Sequence, residues 1–132
     1  MKTSLVAIVV IVVVMGWAAS APAAACWDDG FGGTILLEIA KQSGDMVALF
    51  GKQITTRFTC QQGTTVHPVQ GSAVVVGDRA ILGLWTFHDG GDCLTDTLHM
   101  VLDLRTFGAT GILRSVGDPG VLNVTWTPKP CP

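Results

Sequence analysis

The sequence predicts an all-β domain folded as an eight-stranded antiparallel up-and-down barrel. Three observations predict it. Apolar and polar residues alternate with period two through most of the chain, and no stretch after the first residues carries the 3.6-residue period of an amphipathic helix. Turn signals at Ser43-Gly44-Asp45, Gly77-Asp78-Arg79 and Gly117-Asp118-Pro119-Gly120 cut the alternating runs into roughly seven or eight short strands, which fit a barrel or a sandwich. The cysteines favour the barrel. In a closed meander the first strand pairs with the last, which sets Cys26, just before the first strand, beside Cys131, just after the last, at disulfide distance.

Residues 1–25 read as a secretory signal peptide: Lys2, an apolar run from Leu5 to Trp17, and small residues ending in Ala23-Ala24-Ala25. The run is short for a membrane span. Removing it leaves residues 26–132 as one small barrel domain, secreted or periplasmic, with no membrane span. Lipid anchoring through Cys26 is the less favoured reading, because Ala23 stands where lipoprotein signals usually carry leucine and because it strands one cysteine.

In the mature chain, "TILLEIAKQ" and "MVALFGKQ" form a first hairpin and "GSAVVV" and "AILGLWTFH" a second. The run "TDTLHMVLDL" places Leu98, Met100, Leu102 and Leu104 on one face and Thr97, His99, Val101 and Asp103 on the other. "ATGILRSV" and "VLNVTWT" complete the meander.

Ten acids face eight lysines and arginines, one of them Lys2 in the leader, and no basic cluster exists, which argues against a nucleic-acid partner. Four cysteines in an exported chain suggest two disulfides, and their spacings are too long for a zinc knuckle. Composition alone leaves the pairing open. Barrel closure joins Cys26 to Cys131 and leaves Cys60 and Cys93 to each other.

With those strands in place, the mature chain resembles the avidin and streptavidin family. In "WDDGFGGTILLEIAKQSGDMVALF", Trp27, Asp29 and the Gly32-Gly33 step fall where that family's first hairpin has a Trp, an Asn or Asp two residues on, and a Gly-Ser step. "CQQGTTVHPVQG" and "LWTFHDGGDCLTDTLH" are similar to the short bacterial avidins with an internal disulfide, Cys60 and Cys93 matching that bridge. The closing "NVTWT" looks like the family's "xDTFT" strand, with Val124 in place of the acid.

The resemblance implies a non-enzymatic protein, without cofactor or metal, that holds a small molecule, biotin or a biotin-like molecule, inside the barrel. It implies an inward-facing ligand set of Asp29, Gly33, Phe50, Trp85, Phe87, Thr95, Thr97, His99 and Ile112. Thr95 and Thr97 match a hydroxyl pair that reaches the family's ligand, and His99 and Ile112 stand where the family has wall tryptophans. Asp29, Gly33 and Phe50 replace the Asn, Ser and Tyr that donate to the ureido oxygen, so the affinity expected is reduced. Family barrels also pair through their outer faces, which makes a homodimer one expectation, and Val101 and Asp103 do not decide it.

Other readings compete. A solitary aromatic in a strand more often fills the core than walls a pocket. Asp89, Asp92 and Asp96 read most simply as turn and strand-start residues, and a calcium loop of "DxDxDG" type is absent. His88, His99 and Asp96 offer a minority copper or zinc reading, while His67, before Pro68, falls in a connecting segment. No nucleophile and base pair is visible, and Asn123-Val124-Thr125 is a glycosylation sequon inside a predicted strand. The alternative function is a disulfide-stapled secreted domain acting through its surface as an inhibitor, adhesin or envelope interaction protein. It predicts a filled interior and an exposed apolar patch.

Overall fold

The computed structural model describes residues 24–55, 65–87 and 95–132. The leader before residue 24, Cys60, Cys93, His88, Asp89 and Asp92 lie outside the described residues. Eight strands follow in order: β1 (Ala25–Asp28), β2 (Thr34–Ser43), β3 (Met46–Ile54), β4 (Val66–Val76), β5 (Arg79–Thr86), β6 (Asp96–Asp103), β7 (Ala109–Ser115) and β8 (Leu122–Lys129). Each pairs antiparallel with its sequence neighbours, and β1 pairs with β8, closing the barrel. Among the described residues there is no helix.

The hairpins form where the glycines allow them. Gly44 and Gly77 hold φ of 60° and 63° while the aspartate after each keeps negative φ, the pattern of a two-residue type II′ turn. The barrel curls because β3, β4 and β7 each carry a glycine at an inward position. A Cβ on Gly51, Gly71 or Gly111 would lie 1.8, 2.0 or 1.9 Å from a carbonyl oxygen of the adjacent strand, so only glycine permits that approach.

Two strands differ from the sequence expectation. Cys26 lies within β1, a short strand of its own, and β4 starts at Val66, five residues before the run "GSAVVV". Pro68, which argues against a strand, is accommodated because its side chain faces solvent and its carbonyl still accepts from the Phe87 N–H at 2.9 Å. The seam is fastened by a Cys26–Cys131 disulfide with a Cα–Cα distance of 5.1 Å, as barrel closure predicted. The Cys26 sulfur that a lipid anchor would need is consumed in that bond.

Apolar side chains from all eight strands fill the interior, with Trp27 and Trp126 at its centre, their rings 5.8 Å apart. An apolar cavity among Trp27, Leu37, Leu49, Leu82 and Leu102 measures about 20 Å³, close to the space of one water molecule. The end of the barrel bearing the tight turns is stitched shut. Val75 N–H donates to Asp45 O across one turn, Leu104 N–H donates to Asp78 O across the next, and the Trp27 indole N–H donates to Phe107 O at 2.6 Å. There Asp103 accepts from the Arg105 and Thr106 N–H groups, which hold its carboxyl below the ordinary value.

Candidate functional site

The two ends of the barrel are built differently. Connections of two to five residues (44–45, 77–78 and 104–108) close one end, whereas the opposite strand termini, Asp28, Thr34, Ile54, Val66, Thr86, Asp96, Ser115 and Leu122, mark the other, where the loops 29–33 and 116–121 lie. All seven buried polar side chains among the described residues belong to this loop end: Asp29, Thr34, Gln53, Thr55, His67, Thr86 and Asp96. Each lies within two residues of a strand terminus that faces those loops.

Strand parity explains how they come to be inside. Val47 and Leu49 fix the inward face of β3, and two steps of two along it arrive at Gln53. Val69, Ala73 and Val75 likewise set His67 inward on β4, Ala80, Leu82 and Leu84 set Thr86 on β5, and Leu98, Met100 and Leu102 set Asp96 on β6. The core claims the apolar face of each strand, and its polar terminal residue is carried inside with it.

Asp29 organises the rim. Its Oδ1 accepts from the backbone N–H groups of Phe31 at 2.8 Å and Gly33 at 2.9 Å, tying down the 29–33 loop. Its Oδ2 accepts from Gln53 Nε2 at 3.0 Å. Gly33 is buried against this carboxylate, where an added Cβ would lie 2.5 Å from Asp29 Oδ2, so the serine of the family pattern has no room. Across the mouth, the Ser115 hydroxyl donates to Asp96 Oδ1 at 2.5 Å. Two buried atoms at this end have no hydrogen-bond partner, Gln53 Oε1 and Thr86 Oγ1, and Thr86 is 0% exposed. Such atoms are uncommon in folded proteins, since each costs about 1–3 kcal/mol.

Of the expected ligand residues, the structure brings only Asp29 and Gly33 to the interior. Phe50 is 43% exposed and Trp85 55%, both on the outer face. Thr97, His99 and Ile112 share that outer parity, opposite the buried Leu98 and Met100 and the half-buried Leu113 on their strands, and Thr95 and Phe87 extend the same rows beyond β6 and β5. The expectation that these seven face inward is corrected: pointing them in would put Leu82, Leu84, Leu98 and Met100 into water. Asp96, expected as a strand-start residue, is one, but it faces inward while His99 faces out, which separates the minority metal set. Among the described residues no three His, Cys, Asp or Glu side chains gather to hold a metal ion. His67 lies in β4 and is buried rather than in a connecting segment.

The apolar core expected of a surface-acting domain is present as well, and the outer wall exposes large apolar side chains, among them Phe50 and Trp85 in one register row and Ile81 and Val101 in another. No protein-family model matches this chain, and no curated protein or solved structure matches it. The two ends and the outer wall of the barrel therefore carry the functional reading.

Proposed function

We propose that this chain is an exported, non-enzymatic barrel that binds a small molecule at its loop end, where the polar residues of the interior meet it. The observation that carries the reading is the pair of partnerless buried acceptors, Gln53 Oε1 and Thr86 Oγ1, at the end of the barrel opposite the tight turns. Acceptors of this kind suit a ligand that brings N–H or O–H donors. The disulfide fits an oxidising compartment outside the cytosol.

Biotin is the first ligand to test, because the resemblance suggests it and its ureido group supplies two N–H donors. Its site differs from the one the family pattern implies, since Trp27, Leu37, Met100 and Trp126 occupy the barrel below the polar end. Binding weaker than the family's follows. Calorimetric titration of the oxidised mature chain with biotin should give saturable binding that Gln53→Leu abolishes and Trp85→Ala leaves unchanged. No heat at millimolar biotin removes biotin as the ligand, and loss in Trp85→Ala with retention in Gln53→Leu overturns the interior site.

A further inference from the structure

On the outside of the wall, Phe50, Gln70 and Trp85 stand on adjacent strands in one register row, with Ala48, Ser72 and Gly83 in the next. Between the two aromatic rings the surface sinks into an open hollow of about 490 Å³, lined among others by Ala40, Phe50, Gln70, Ser72, Gly83 and Trp85. Among the described residues, no charged side chain lines it.

Three details are unusual for a plain strand surface. Gly83 sits in mid-strand, where a Cβ would meet nothing within 4 Å, so packing does not require glycine there, and close approach of a ligand to the backbone is one of the uses of such a glycine. The β2–β3 register shifts between Ile39 and Lys41, making Ala40 a bulge at the edge of the hollow, a feature found beside binding sites. Trp85 is more than half exposed, with Phe87 at 6.1 Å.

We infer that this hollow is a second binding site, for the ring of a neutral saccharide. A pyranose offers an apolar C–H face to an aromatic ring and a rim of hydroxyls to amide and hydroxyl groups, here Gln70 and Ser72. Phe50 and Trp85 lie two strands apart, about 10 Å, room for one ring over Gly83 between the two aromatics. Lys41 stands opposite Ala48 at the margin, but only neutral groups line the hollow itself, and that lining favours a neutral ligand.

Trp27 and Trp126 are buried, so a change in fluorescence on ligand addition reports on Trp85. The experiment is a fluorescence titration of the oxidised mature protein with cellohexaose and with chitohexaose, alongside size-exclusion chromatography. At least one sugar should bind in the millimolar range or tighter. Trp85→Ala should weaken it at least about tenfold, read by calorimetry, with Trp85→Phe restoring part of the affinity. Gly83→Val should occupy the floor on which the ring would sit and abolish binding while the melting temperature holds or rises, because a β-branched residue enters open space on a strand. Thr86→Val, on the inner face, should leave sugar binding intact. The inference is overturned if neither sugar binds, if binding survives Gly83→Val, or if that variant instead converts a dimer to a monomer, which would make the hollow a contact between copies.

Discussion

The turn end and the loop end of this barrel are made from the same eight strands, yet they solve opposite problems. At the turn end the buried side chains among the described residues are apolar, backbone hydrogen bonds tie the turns to their neighbours, and the Trp27 N–H has its acceptor. At the loop end the same strands carry Gln53, His67, Thr86 and Asp96 inward, and two polar atoms go without partners. Stability favours apolar groups at buried positions, and seven polar ones at a single end run against it. The turn end therefore holds the barrel together, and under the proposed function the loop end keeps groups whose use lies outside folding.

Breaking the turn end should have the largest effect. Cys26→Ser with Cys131→Ser opens a ring spanning 105 positions and should cost about 4 kcal/mol, lowering the melting temperature by on the order of 20 °C. In calorimetric scans of that variant, a fall of only a few degrees would mean that strand pairing, not the bridge, secures the seam. Next comes Met100→Ala, which empties a 1%-exposed core position and should cost about 3 kcal/mol in urea unfolding.

The loop end should respond far less to a change of similar subtlety. In Asp29→Asn the new Nδ2 would oppose Gln53 Nε2, but a half-turn of the Gln53 amide presents the partnerless Oε1 to it. Stability should therefore stay within about 1 kcal/mol of the parent. Asp29→Ala strands the Phe31 and Gly33 N–H groups and should cost about 2 kcal/mol. Equal losses in the two variants would show that charge, rather than the hydrogen-bond pattern, holds the 29–33 loop.

Much of the fold was legible in the sequence. Period-two alternation and Gly-Asp turns located the hairpins, and the positions of Cys26 and Cys131 implied the seam. What misled was the phase of the site. The resemblance drew Phe50, Trp85, Thr97 and His99 inward, although Leu49, Leu84, Leu98 and Met100 on the neighbouring positions had already claimed the interior. Parity applied along each strand would have found Gln53, Thr86 and Asp96, polar residues at the ends of apolar inward rows. His67 was hidden for another reason, since Pro68 makes its segment read as a loop. The outer hollow was invisible because Gly83 and the Ala40 bulge acquire meaning only once three strands are side by side.

The division of the barrel into a structural end and a binding end stands or falls on the melting temperature of Thr86→Val. Valine matches threonine in shape and removes a buried hydroxyl that has no partner, so the barrel should keep its melting temperature or gain a few degrees, while losing ligand at the loop end. A fall of several degrees would show that Oγ1 is engaged in holding the fold, and would contradict that division.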